Sequence, residues 1–147
     1  MPAADLLFVY GTLRRGSSND IARIAPDAVF VSTARMRGRL YDVNGRWPSL
    51  VLDQAAGWVV GEIYRVPAHA WPALDALEDP VTPLRPDGAY FKVEAEADCE
   101  VRLDGVTVYI ANPAVTRLTR LIESGDWIAY AAGDASPRSA PGAIVRK

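Results

Sequence analysis

Two features of this chain combine residue types that could act on a small molecule. The first is Tyr10-Gly11-Thr12-Leu13-Arg14-Arg15-Gly16, which follows the apolar run Leu6-Leu7-Phe8-Val9. A strand that reads as buried therefore runs straight into a glycine-bearing turn. Such a turn can present consecutive backbone N–H groups to a bound anion or carbonyl oxygen. The second feature is Glu78, at the end of a predicted helix Trp71–Glu78. At 100° per residue, Leu74 and Leu77 define the apolar face, with Ala73 helping, and Glu78 projects beside Leu74 on its shoulder, while Asp75 turns towards solvent. A carboxylate in the last turn meets the negative end of the helix dipole, and partial burial acts in the same direction. Both raise its pKa towards the range in which a general base works near neutral pH. The loop would hold an oxygen and the glutamate would move a proton.

Other readings compete for both features. Gly11 and Gly16 have the G-x4-G spacing of a phosphate loop, but Ser17 and Ser18 stand where Lys and then Ser or Thr are required. Without that lysine, the charge that meets the β and γ phosphates is missing. A dinucleotide fingerprint fails too, for want of a third glycine and a following helix. The bland alternative is a strand-end turn that uses glycine for geometry only. For Glu78 the bland alternative is a helix-end glutamate that reaches water or pairs with Arg85 or Lys92.

The elements that must position these residues come from a chain of 147 residues, enough for one domain with a sizeable core. Hydrophobic residues make up 50%, charged residues 23%, and the net charge is −2. With 16 basic and 18 acidic residues, no nucleic-acid partner is expected. The basic groups Arg14-Arg15 and Arg35, Arg37 and Arg39 are expected to face solvent. Cys99 is the only cysteine, which forbids an intrachain disulfide and fits a reducing cytoplasm. Its neighbours Asp98 and Glu100 disfavour a thiolate. The start of the chain lacks the pattern of a signal peptide, and no apolar run reaches membrane-spanning length, so no membrane partner is expected. His69 is the sole histidine, which excludes multi-histidine metal sites.

Strand signals dominate. Leu6–Tyr10 is followed by Val29–Val43, one long strand or two joined at Gly38, and Asn44-Gly45 signals a tight hairpin into Trp47–Leu52. Trp58–Val66, with Glu62 embedded in it, and Tyr90–Ala97 read as further strands. Val101–Leu103 and Val106–Ala111 flank Asp104-Gly105, a second hairpin signal. Helices are expected at Trp71–Glu78, stopped by Pro80, and at Val115–Glu123 after Asn112-Pro113. The fold class is therefore α+β: a small, mixed, mostly antiparallel, barrel-like sheet with two short helices. A single domain is expected over residues 1–135, with a stiff loop at Val81–Gly88 and a flexible tail at 136–147.

At these places the sequence resembles the γ-glutamylcyclotransferase family, including γ-glutamylamine cyclotransferases and bacterial relatives. The resemblance runs through Val9–Gly16, Gly38-Arg39-Leu40-Tyr41-Asp42, Pro48-Ser49-Leu50-Val51 and Val60-Gly61-Glu62-Ile63-Tyr64. It continues with Leu74-Asp75-Ala76-Leu77-Glu78, Tyr90-Phe91-Lys92 and Gly125-Asp126-Trp127. It implies a small barrel-like fold, a substrate loop at Tyr10, Gly11, Thr12 and Leu13, an essential glutamate at Glu78 and a substrate-side aromatic at Tyr90. It also implies conversion of a small γ-glutamyl compound to 5-oxoproline with release of an amine. No metal or other cofactor is required, and the protein would act as a monomer or homodimer. The chain departs from the family pattern in Asp79, where relatives often have glycine, in the loop Val81–Gly88, and in Lys92, where relatives often have arginine. A ligand-binding module of the same fold without turnover is the alternative, and an acid–base enzyme of another class is a third reading.

Overall fold

The structure, a computed structural model, describes residues 5–133; the expected tail at 136–147 lies outside them. β1 (Leu6–Val9) is buried at every position because both of its faces are covered. Leu6 and Phe8 join a core of Met36, Leu40, Val59, Ile63, Val106, Val108 and Trp127. Leu7 and Val9 face the other way, towards Leu13, Ile21, Val66, Leu74, Tyr90 and Tyr109. A continuous apolar run is what a strand with two packed faces requires.

β1 pairs antiparallel with β4 (Trp58–Arg65) and parallel with β6 (Arg102–Ala111), which pairs antiparallel with β5 (Tyr90–Asp98). β2 (Val29–Val43) pairs with β4, and a single Arg35–Asp98 pairing between β2 and β5 closes the ring. β3 (Trp47–Leu52) lies outside this five-stranded barrel. The long β2 is one strand with two partners. Residues up to Arg37 pair with β4, whereas Gly38–Val43 pair with β3. Gly38 marks the change, and a Cβ there would lie 2.5 Å from the Val51 carbonyl oxygen. The hairpin at Asn44-Gly45 has φ values of 58° and 73°, the positive angles that its sequence signals.

α1 (Ile21–Ile24) is a single turn capped by Asp20, and α3 (Trp127–Ala131) is capped by Asp126. α2 (Trp71–Glu78) follows a 3₁₀ turn at Ala68–Ala70 and packs through Leu74 against the outer face of the barrel. Complete burial of Leu74 contributes about 2 kcal/mol. Leu77, expected beside it, is 40% exposed, so the buried stripe is narrower than the periodicity implies.

Two expected elements differ. Val115–Glu123 is not a helix. The segment runs alongside β2, where Arg120 O accepts from Asp42 N and Ile122 N donates to Leu40 O. The backbone groups of Leu40 and Asp42 need partners, and satisfying them outweighs a weak helical periodicity. Asp104-Gly105 is not a hairpin turn either. Gly105, at φ 71°, sits where the β5–β6 register shifts, so it forms a bulge within β6. The actual turn lies at Cys99–Val101, with Glu100 at φ 88°. Among the described residues, no helix is long and apolar enough to cross a membrane.

Candidate active site

A cleft of about 350 Å³, measured with its open mouth, lies at the end of β1. Tyr10, Gly11, Thr12 and Leu13 enter it from the end of β1 and the turn beyond, Glu78 from the end of α2, and Tyr90 from the start of β5. All six residues singled out in the sequence thus meet in one place. Trp47 and Pro48 from β3 and Tyr109 from β6 complete the walls, and these three were not anticipated as site residues. Tyr109 could have been found by alternation. Val106 and Val108 point into the barrel, so Tyr109 faces α2.

The turn is built by its own carbonyl oxygens. Arg14 N donates to Gly11 O at 3.0 Å and Asn19 N to Thr12 O at 2.9 Å, while Asn19 Nδ2 reaches Thr12 Oγ1 at 3.2 Å. Gly11 is needed for space, since a Cβ there would come within 2.5 Å of the Pro48 ring. The turn is anchored from behind by Glu62 of β4. Its carboxylate accepts from Arg14 Nε at 3.1 Å, Arg15 N at 2.9 Å and the Tyr64 hydroxyl at 3.1 Å. Arg14 also donates to Asp126 at 2.9 Å, which ties the turn to the cap of α3. Arg14 is therefore a buried ion-pair partner, not the solvent-facing base that composition suggested.

The tyrosines of the cleft are fixed by their hydroxyl groups. The Tyr10 hydroxyl donates to Tyr109 O at 2.5 Å and accepts from Leu50 N at 3.3 Å, which links the end of β1 to β6 and β3. The Tyr90 hydroxyl donates to Pro48 O at 3.1 Å and the Tyr109 hydroxyl to Asp75 Oδ1 at 2.6 Å. Burial is the main reason all three phenols are held well above their ordinary pKa, and the negative charge of Glu78 pushes each further the same way.

Asp75 does not turn away into solvent. It accepts from Tyr109 and pairs with Lys92 Nζ at 3.1 Å, while Lys92 lies 4.4 Å from the Trp71 ring centre. Arg85 pairs with Asp79 at 2.8 Å and Asp87 at 3.2 Å. Lys92 and Arg85, the two cations near the end of α2 in the sequence reading, thus pair with Asp75, Asp79 and Asp87. Asp79 caps α2 in the left-handed conformation, at φ 56° and ψ 61°. Glycine adopts that conformation without strain, whereas aspartate does so at some cost. The Arg85 guanidinium beside Asp79 holds its carboxyl below the usual range, so Asp79 is an ion-pair partner, and it borders a second, neighbouring cleft.

The sequence model of the family described as γ-glutamyl cyclotransferase, AIG2-like, matches residues 7–129. A Vibrio cholerae protein provisionally named γ-glutamylcyclotransferase is 34% identical over 122 residues, covering 83% of this chain and 94% of its own. The γ-L-glutamyl-butirosin B γ-glutamyl cyclotransferase of Niallia circulans is 31% identical, over 84% of this chain and 76% of its own. An AIG2-like protein from Mus musculus superposes with a TM-score of 0.70 at 20% identity, covering 97% of this chain and 95% of that one. The chain belongs to the γ-glutamyl cyclotransferase, AIG2-like family, and is an enzyme of the cyclotransferase type.

Proposed function

We propose that the protein cyclises the γ-glutamyl group of a small amine, amino acid or peptide conjugate to 5-oxoproline and releases the amine, with Glu78 as general base and then general acid. The observation that carries this reading is the opening of Glu78, the last residue of α2, onto a cleft walled by the Gly11–Leu13 turn. The substrate's α-ammonium gives a proton to Glu78, and the freed amine attacks the γ-carbonyl carbon to close a five-membered ring. The tetrahedral centre collapses as its bond to the leaving nitrogen breaks and protonated Glu78 returns the proton to that nitrogen; the carboxylate then takes the second proton from the ring nitrogen, and the released amine carries it off as an ammonium. Nucleophile and electrophile belong to one molecule, so the protein's main task is to hold a folded, near-attack conformer. Backbone N–H groups of the turn at residues 10–13 stabilise the developing oxyanion or hold the α-carboxylate, and Tyr90 packs against the substrate.

A wider cleft shares Trp47 and Tyr90 with the first and is bordered by Asn44, Asp79, Asp87 and Arg117. It offers room for the leaving group outside the narrower γ-glutamyl pocket. The single Cys99 is consistent with work in the cytoplasm, as a monomer or homodimer. The test is incubation with a panel of γ-glutamyl amines, amino acids and peptides, with 5-oxoproline measured directly. Turnover of at least one compound, lost by about a thousandfold in Glu78→Gln, is expected. No turnover across the panel, or full activity of Glu78→Gln, would overturn the reading; tight binding without turnover would favour a ligand-binding module.

A further inference from the structure

Each tyrosine that lines the cleft has already committed its phenolic proton to the protein. Tyr10 donates to Tyr109 O, Tyr90 to Pro48 O and Tyr109 to Asp75 Oδ1. A phenol carries one proton, so towards the cleft these hydroxyl groups can only accept. The Tyr10 oxygen already accepts from Leu50 N, which leaves those of Tyr90 and Tyr109 as the stronger candidates. They differ in what lies behind them. Tyr90 is backed by a neutral carbonyl, whereas Tyr109 is backed by a carboxylate at 2.6 Å, an interaction that makes its oxygen the better acceptor. Acceptors next to a carboxylate suit a ligand group rich in donors and positive in charge.

We propose that Asp75 is a positioning residue: by taking the Tyr109 proton, it presents the Tyr109 oxygen as an acceptor that holds the substrate's α-ammonium beside Glu78. The proposal rests on the cyclotransferase reading above and adds a second point of attachment for the attacking nitrogen. One turn of helix links the two roles, because Asp75 and Glu78 are three residues apart on α2: Glu78 lines the cleft, and Asp75 accepts from Tyr109, which lines it too. Tyr109 connects that helix to β6.

The competing explanation is that Asp75 serves only its ion pair with Lys92. A kinetic comparison separates the two, using γ-glutamylmethylamide as substrate and N-methylglutaramate, which lacks the α-amine and cannot cyclise, as inhibitor. Asp75→Ala and Tyr109→Phe are each expected to raise KM for γ-glutamylmethylamide about tenfold and to move the inhibition constant of N-methylglutaramate by less than about twofold. The double variant should resemble either single one, because the two residues act as a unit. Lys92→Met should leave both constants within about twofold of wild type. Asp75→Asn keeps an acceptor oxygen without the charge and should fall between wild type and Asp75→Ala, which also covers the case in which the alanine variant does not fold. Equal losses for the two compounds, additive effects in the double variant, or a Lys92→Met protein that matches Asp75→Ala would overturn the proposal while leaving the cyclotransferase reading intact. A wild-type protein that cyclises no γ-glutamyl compound would overturn both.

Discussion

Arg14 Nε and the Glu62 carboxylate meet at 3.1 Å in a buried ion pair that joins the turn after β1 to β4. The same carboxylate holds Arg15 N, so the segment carrying Gly11–Leu13 is fixed by side chains from outside the cleft. The charges that shape the turn thus leave the cleft itself to Glu78.

Removing one partner of such a pair leaves a charge stranded in the interior. Arg14→Met should destabilise the protein by about 3 kcal/mol and lower Tm by roughly 10 °C, measured by scanning calorimetry. Arg14→Met/Glu62→Met should lose less than the two single changes summed, with incomplete recovery because Arg15 N and the Tyr64 hydroxyl lose their acceptor.

The Tyr10 hydroxyl serves Tyr109 O and Leu50 N at once. Tyr10→Phe leaves a buried acceptor and a buried donor without a partner, at a cost of about 2 kcal/mol. Urea unfolding should show a lower midpoint at unchanged slope. A midpoint equal to wild type would mean that water replaces the hydroxyl.

Asp79 holds a positive φ of 56° at the end of α2. Asp79→Gly should melt at or above wild type, since glycine relieves the strain and the exposed Arg85 pair contributes little. Asp79→Ala should melt lower, because alanine tolerates the left-handed region less well than aspartate and brings no ion pair. Both should retain turnover if Asp79 acts only as a cap.

Alkaline pH provides a further measurement. Tyr10, Tyr90 and Tyr109 have folded-state pKa values raised above the ordinary 10.0, mainly by burial. The unfolded chain therefore releases phenolic protons at a pH where the folded chain still holds them. Their contribution to stability is complete below about pH 10 and declines as pH rises further. Phenolate absorbance from these residues should appear together with loss of far-ultraviolet circular dichroism, not before it. Their titration near pH 10 in a protein that remains folded would contradict the burial.

The strands with clear alternation or continuous apolar character, β1 to β5, were legible because side-chain pattern and burial coincide there. α2 was legible from its proline start and its stop before Pro80. Glu78 stood out because its position on that helix follows from spacing alone. Asp75 was misread for a related reason: periodicity places a residue on a helix but does not show what packs opposite, and Tyr109 reaches it from β6. The Val115–Glu123 segment misled because its pairing with Leu40 and Asp42 is a long-range relation that local spacing does not encode. Gly105 misled because a positive φ serves a bulge as well as a turn. Glu62 was seen as a polar residue within a strand, but its partner Arg14 lies 48 residues away.

The change of partner at Gly38 has a consequence for how the protein can vary. The ladder that joins β2 to the barrel uses residues up to Arg37, and the ladder that carries β3 begins at Gly38. The backbone of Trp47 and Pro48, which wall the cleft, is paired in the second ladder. Substitutions that resize this wall therefore fall outside the hydrogen bonds that keep the ring shut. One strand divides the labour between a frame that has to stay the same and an aperture free to be recut for a different substrate.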